Sequence, residues 1–85
     1  MEEKIKKALK DFSEECKKKF KNNLISIVFF GSRVKNLARK DSDYDILIIA
    51  KNLPDIKERF DLISDLESKI FEKYAIKISS ILVEP

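Results

Sequence analysis

The sequence contains no histidine and no tryptophan, and only one cysteine, one glycine and two prolines. Without histidine, a Ser-His-Asp triad, a Cys-His pair and the usual zinc sites are excluded. The single cysteine, Cys16, excludes an internal disulfide and indicates a reducing, cytoplasmic location. The scarcity of glycine and proline predicts long regular elements with few tight turns.

The chain also lacks a strong net charge and a long apolar run. Its 18 basic and 15 acidic residues give a net charge of +3, which permits contact with nucleic acid without indicating it. No apolar run approaches the ~18–20 residues that cross a bilayer, and the charged start does not resemble a signal segment, so no membrane association is expected. With 85 residues, of which 44% are apolar, we expect one folded domain over residues 1–85.

Two segments have the residue spacing of amphipathic helices. Over residues 2–21 the apolar residues recur in steps of three and four, which places Cys16 on the buried stripe. A second helix is predicted to begin near Pro54, with Asp55 and Glu58 in its first turn, and to run to Tyr74. Cys16 is therefore predicted to be a core residue rather than a nucleophile.

Three segments rich in isoleucine, leucine and other apolar residues predict strands over residues 24–30, 43–50 and 76–83. The first is apolar on both faces, so we expect it in the middle of a sheet that helices cover. Gly31 ends this strand, and Ser32 is predicted to cap a short helix over residues 33–37. This order predicts an α/β (α+β) fold with a mixed sheet of about three strands, two long helices and one short helix.

Two acidic residues stand two positions apart at the start of the second strand. Because side chains alternate along a strand, Asp43 and Asp45 are predicted to point to the same side of the sheet. Two carboxylates so close repel each other unless a cation lies between them, and Mg²⁺ prefers such oxygen ligands. The pair therefore predicts a site for one Mg²⁺, or for two ions roughly 3.5–4 Å apart.

A second polar feature follows the first strand. Gly31 and Ser32 would supply free backbone N–H groups, a hydroxyl and a helix N-terminus, which together suit a phosphate. Arg33 is a candidate phosphate contact, with a plain surface charge as the alternative. Taken singly, an Asp-x-Asp pair is commonly a solvated strand entry and a Gly-Ser pair is commonly a turn. Their combination on two apolar strands favours a metal-nucleotide site.

Gly31-Ser32, followed by Ser42-Asp43-Tyr44-Asp45, resembles the signature of the DNA polymerase β-like nucleotidyltransferase superfamily. The segment over residues 29–49, FFGSRVKNLARKDSDYDILII, is similar to the minimal nucleotidyltransferases of archaea and bacteria. The resemblance implies Mg²⁺ as cofactor and a nucleoside triphosphate, ATP above all, as substrate. A hydroxyl attacks the α-phosphate and pyrophosphate leaves. The implied catalytic and metal-binding residues are Asp43 and Asp45, and the implied nucleotide-binding residues are Gly31, Ser32, Arg33 and Ser42.

This sequence departs from the family at a third carboxylate, which relatives place on the last strand. If Ile76 and Ile78 face the core, Lys77 and Ser79 face the site, and neither is an acid. Glu84 has the other parity and could serve only across a bulge. Loss of a general base puts roughly 10²–10⁴-fold in rate at risk, although the charge of Lys77 could replace part of a metal's charge.

The resemblance also implies a partner. Many minimal nucleotidyltransferases are similar to the antitoxin half of a pair with a helical HEPN-type toxin, and some transfer AMP to it. Two functions stay open: an NMP transferase acting on a protein or polynucleotide hydroxyl, and an inactive subunit that neutralises a HEPN-type partner by occlusion. A plain RNA-binding domain fits less well because no aromatic stacking platform is evident. A homodimer or hetero-oligomer is expected, since so small a chain covers its sheet poorly.

Overall fold

A computed structural model gives the structure of residues 3–30 and 44–85, with Phe30 described by its backbone alone. In chain order the elements are α1 (Glu3–Phe20), a 3-10 turn (Lys21–Asn23), β1 (Leu24–Phe30), β2 (Tyr44–Ala50), α2 (Ile56–Tyr74) and β3 (Ile78–Val83). The α+β fold class, the two long helices and the three strands are thus confirmed. The short helix predicted over residues 33–37 lies outside the described residues.

Helix α1 forms because its apolar residues share one stripe. The buried side chains recur in steps of one, three and four: Ala8, Leu9, Phe12, Cys16 and Phe20. Lysines in the last turn suit the negative end of the helix dipole. The helix gives way to the 3-10 turn at Lys21, whose φ of 50° is left-handed.

Helix α2 has a defined cap at each end. Asp55 is the N-cap residue rather than part of the first turn as predicted, and its Oδ1 accepts the backbone N–H of Glu58 at 2.9 Å. At the other end Ala75 adopts a left-handed φ of 57°, and its N–H donates to the carbonyl of Phe71 at 2.7 Å. These caps fix where α2 stops and where the chain turns back into β3.

The sheet is mixed and has the order β1-β2-β3 in the described part of the chain. β1 and β2 are antiparallel, whereas β2 and β3 are parallel and connected through α2. The expectation that the first strand lies in the middle of the sheet is wrong. Among the described strands, β2 takes that place because it pairs with both of the others, and β1 lies at the edge.

Both helices pack on the same face of this sheet. Ile46, Ile48 and Ala50 of β2 are buried in one core cluster with the stripes of α1 and α2. The alternate residues face the other way, where Val28 is 40% and Ile81 is 51% exposed on either side of Leu47. Among the described residues, the expectation that helices cover both faces of the sheet is therefore not met, because α1 and α2 both pack on the first face.

A line of ion pairs holds α1 and α2 together in antiparallel fashion. Lys19 Nζ lies 2.8 Å from Asp65 Oδ2, and Lys69 Nζ lies 3.2 Å from Glu15 Oε1. Hydrogen bonds from Tyr74 and Lys73 lower the pKa of the Asp11 carboxyl below its ordinary value.

Within the described residues neither helix has the length of apolar sequence that a membrane span needs.

Candidate active site

The site is built around Asp45, the second residue of the central strand. Its backbone pairs with Phe30 of β1 on one side and with Ser79 of β3 on the other. Because Tyr44 and Ile46 pack with the helices, Asp45 points to the opposite face of the sheet, where it is half-buried. Its carboxylate has no hydrogen bond or ion pair with another described residue. Within the described residues its oxygens therefore have no protein partner, and its role as a cation ligand stays a prediction.

The backbone around Asp45 is held on both sides. The N–H of Tyr44 donates to the carbonyl of Lys77 at 2.9 Å, which extends the β2–β3 ladder by one residue. On the β1 side the pairing ends at Phe30, and Gly31 is the next residue in the sequence. The predicted phosphate-binding dipeptide thus follows directly, in sequence, from the residue that pairs with Asp45.

The other predicted site residues lie outside the described residues. These are Gly31, Ser32, Arg33, Ser42 and Asp43. Their assignments stay predictions, and Asp45 alone of the predicted set has a described position. Among the described residues no group of three acidic, cysteine or histidine side chains forms a metal-binding cluster.

The β3 side of the site carries no acid near Asp45 in residues 78–83. Ile76 and Ile78 are buried at 7% and 4% exposure, as predicted, so the intervening Lys77 and the following Ser79 face away from the helices. Ser79 is the register partner of Asp45. Lys77 is exposed and forms no ion pair within the described part of the chain. β3 therefore presents a hydroxyl and an ammonium group here.

Glu84 does not replace the third carboxylate. The β2–β3 register runs without a bulge from Tyr44–Ile78 to Ile49–Val83, so Glu84 follows the far end of the pairing from Asp45. Its carboxylate Oε1 lies 3.7 Å from Nη2 of Arg59 at the start of α2. The pairing of β2 with β3 contains no bulge that could bring Glu84 to Asp45. Glu84 lies at the end of the sheet opposite to Asp45.

Glu67 is a structurally important residue that sequence reasoning missed. Its Oε2 accepts the backbone N–H of Ser80 at 2.8 Å and the Ser80 hydroxyl at 2.5 Å. This contact ties β3 to α2 on the helix side of the sheet. The signal was available in the sequence, because Glu67 follows Ile63 by four positions and precedes Ile70 by three, which places a carboxylate beside the apolar stripe.

A groove of about 490 Å³ runs between α2 and the start of β3. Phe71 and Glu72 line it from the helix, and Lys77 and Ser79 line it from the strand. Phe71 is 54% exposed. The groove thus reaches the two residues that β3 presents next to Asp45.

Cys16 takes no part in the site. Its side chain is fully buried in the core, and burial raises the pKa of its thiol to about 12. A thiol so rarely ionised is a poor nucleophile, which confirms its prediction as a core residue.

Comparison with known proteins identifies the family of this chain. Residues 3–83 match the family model described as Polymerase beta, Nucleotidyltransferase. "Putative protein adenylyltransferase MJ1305" of Methanocaldococcus jannaschii is 44% identical over 87 residues, which is 100% of this chain and 59% of that protein. "Putative protein adenylyltransferase MJ0604" of the same organism is 34% identical over 76 residues, covering 89% of this chain and 70% of the relative.

The matches fix the family but cover only part of the first relative. The chain spans about three-fifths of its length. No solved structure matches the chain significantly. The family model nevertheless extends from the first turn of α1 to the end of β3. The mixed sheet and the two helices agree with it. The chain belongs to the polymerase β-type nucleotidyltransferase family and is consistent with its minimal members.

Proposed function

We propose that the chain binds Mg²⁺-ATP and transfers AMP to a hydroxyl group of a protein. The observation that carries the proposal is the position of Asp45, between the strand end that leads into Gly31-Ser32 and the start of β3. The names of two relatives refer to protein adenylylation, which supports a protein as the acceptor.

The available groups fit one cation and its phosphate ligands. Asp45 is half-buried, and its carboxylate has no partner among the described residues, so a bound cation would satisfy an otherwise unpaired charge. Asp43 would share the ion, while Gly31 and Ser32, with Arg33 and Ser42, would hold the triphosphate. When bound, Mg²⁺ neutralises negative charge on the phosphate oxygens.

The transfer exchanges one phosphoester bond for another. The acceptor oxygen forms a bond to the α-phosphorus, the bond from that phosphorus to the bridging β-phosphate oxygen breaks, and pyrophosphate leaves. The proton of the acceptor hydroxyl passes to solvent, because β3 places no carboxylate beside Asp45 to receive it. The rate is expected to be modest for this reason.

The presence of Ser79 across from Asp45 favours a second function. A site with Ser79 in place of an acid suits a subunit that binds nucleotide weakly and acts mainly by covering a partner, such as a HEPN-type toxin. Exposed apolar side chains at the start of α2 are available for such a contact: Ile56 is 76% and Phe60 is 72% exposed. This function needs stable association with the partner without transfer of AMP.

Equilibrium titration with Mg²⁺-ATP tests nucleotide binding. We expect Asp45→Asn to weaken binding about tenfold, because it removes a negative ligand from the cation. Asp61→Asn, which removes the same charge from the exposed face of α2, serves as the control and should bind as the wild type does. Equal affinity of the wild type and the Asp45 variant would refute the metal-nucleotide site.

Transfer is tested with ATP labelled at the α-phosphate, Mg²⁺ and the protein encoded by the neighbouring gene. Label on that protein, lost with Asp45→Asn, supports the transferase. A stable complex without label supports occlusion.

A further inference from the structure

We propose that β3 completes the nucleotide site with a hydroxyl and an ammonium group, where a third carboxylate would otherwise stand. Ser79 occupies the ligand position beside Asp45, and Lys77 contacts the phosphates. The inference rests on the proposed function and specifies how this chain's own residues carry it out.

Ser79 is the side chain that β3 places directly across from Asp45. The two residues are register partners on parallel strands, which lie about 4.8 Å apart, and both face away from the helices. Both are half-buried. A cation bound by Asp45 on this face would therefore have Ser79 as its neighbour on β3. A neutral hydroxyl is a far weaker ligand for a hard divalent ion than a carboxylate.

Two acids near β3, Glu67 and Glu84, have other partners in the structure. Glu67 approaches the sheet from the helix face, and Ser80 holds its Oε2 through two hydrogen bonds. Glu84 lies beyond the opposite end of β3, next to Arg59. Glu72 of α2 lines the same groove as Lys77 and Ser79 and is not a residue of β3. Residues 78–83 of β3 contain no acid, and the described residues form no metal-binding group of three acidic, cysteine or histidine side chains.

Lys77 is held in a position to act on the same face. Its carbonyl accepts the N–H of Tyr44 at 2.9 Å, so its backbone is fixed to the head of β2. It lies between the buried Ile76 and Ile78, and its side chain is exposed, two residues before Ser79. An ammonium group here attracts phosphate oxygens and repels a second divalent cation. Lys77 thus places positive charge where a third carboxylate would place negative charge.

The first experiment adds the missing acid and measures binding of Mn²⁺ alone, without nucleotide, from the electron paramagnetic resonance of free Mn²⁺. We expect Ser79→Asp to tighten Mn²⁺ binding about tenfold, because affinity for hard cations rises with the number of charged ligands. The gain should vanish in Ser79→Asp combined with Asp45→Asn.

Ser26→Asp is the matched control for this substitution. Ser26 is also a half-buried serine, and it pairs with Ile49, so it lies on the same face but four residues along β2 from Asp45. That separation is roughly 13 Å. We expect no gain in Mn²⁺ affinity there. No gain with Ser79→Asp, or an equal gain with Ser26→Asp, would overturn the assignment of Ser79.

The second experiment removes the ammonium group. We expect Lys77→Gln to weaken Mg²⁺-ATP binding about tenfold, through loss of a charge-assisted contact, while leaving Mn²⁺ binding equal to the wild type or tighter. Lys51→Gln removes the same charge at the other end of β2 and should change neither quantity. Unchanged ATP affinity in the Lys77 variant, or weakened Mn²⁺ binding, would overturn the role of Lys77.

The two proposals fail in different ways. If the wild type binds no Mg²⁺-ATP, the proposed function fails and Lys77 loses its phosphate role, but the Mn²⁺ comparison still decides whether Ser79 stands at the ligand position. If the wild type binds Mg²⁺-ATP through Asp45 while the Ser79 variant gains no Mn²⁺ affinity, the proposed function stands and the assignment of Ser79 fails.

Discussion

Replacing Glu67 by alanine should destabilise the domain more than any other single removal of a carboxylate from α2. Glu67 Oε2 accepts two hydrogen bonds from Ser80, one from the backbone N–H at 2.8 Å and one from the hydroxyl at 2.5 Å. Each hydrogen bond to a charged group contributes roughly 1.5–3 kcal/mol, and loss of the acceptor leaves a partly buried N–H unpaired. Since both bonds share one oxygen and the site is only partly buried, we expect about 2 kcal/mol in total.

Urea denaturation followed by circular dichroism measures this loss. About 2 kcal/mol corresponds to a fall in Tm of about 10 °C for a domain of this size. Ser80→Ala removes only the hydroxyl bond and should cost about 1 kcal/mol. Glu72→Ala, at an exposed position of the same helix, serves as the control and should stay within about 0.5 kcal/mol of the wild type. A Glu67 variant as stable as the Glu72 variant would refute the view that this carboxylate anchors β3 to α2.

Three further outcomes are expected. Hydrogen bonds from Tyr74 and Lys73 lower the pKa of Asp11, so the stabilising effect of its carboxylate is complete above the ordinary pKa of 3.8 and is lost as the pH falls through the lowered value. The fall in Tm between about pH 5 and about pH 2 should therefore be smaller in Asp11→Asn than in the wild type. Cys16 should react with a thiol reagent such as DTNB only after denaturation, since it is fully buried; fast reaction of the native protein would contradict the core assignment. Asp55→Ala should lower the free energy of unfolding by about 1 kcal/mol through loss of the α2 N-cap. Asp55→Ser keeps a side-chain oxygen at the cap and should lose much less stability.

The helices and strands could be predicted because each has a local signal. The stripe of α1, the start of α2 near Pro54 and the strand bounds of residues 24–30 follow from side-chain periodicity and from turn residues. Asp55 was predicted one position too far into the helix, because an aspartate is favourable both at the N-cap and in the first turn. The structure decides between them through the hydrogen bond that Asp55 accepts from Glu58.

The position of β1 in the sheet could not be predicted from its composition. Both β1 and β2 carry apolar side chains on their two faces, which is typical of strands that are buried on both sides. Strand order depends on long-range pairing, and β2 is central because it pairs with β1 and β3 at once. Val28, 40% exposed, is an apolar residue on the face that α1 and α2 do not cover. Which strands pair, and which faces the helices cover, is decided by packing and not by local sequence.

For the candidate site, the sequence predicts a chemistry that stays a prediction, and it indicates the geometry only in part. The spacing of Asp43 and Asp45 indicated a cation, and the register shows that Asp45 stands next to Ser79. That Glu84 is too far along β3 follows only from the continuous pairing of β2 with β3 and from its contact with Arg59. A sequence gives the parity of a strand residue, but distance along the sheet needs the register.

Ser79 and Ser80 show how one strand can separate stability from chemistry. The two serines are adjacent, yet alternation sends Ser80 to Glu67 on the helix face and Ser79 to the side of Asp45 on the open face. Changes at Ser80 should therefore alter the free energy of unfolding and leave cation affinity unchanged. Changes at Ser79 should do the reverse, apart from the repulsion that a second carboxylate introduces when no cation is bound. Because the two side chains share one stretch of backbone, an equal response of both quantities to both substitutions would mean that β3 shifts as a unit and that the two faces are not independent.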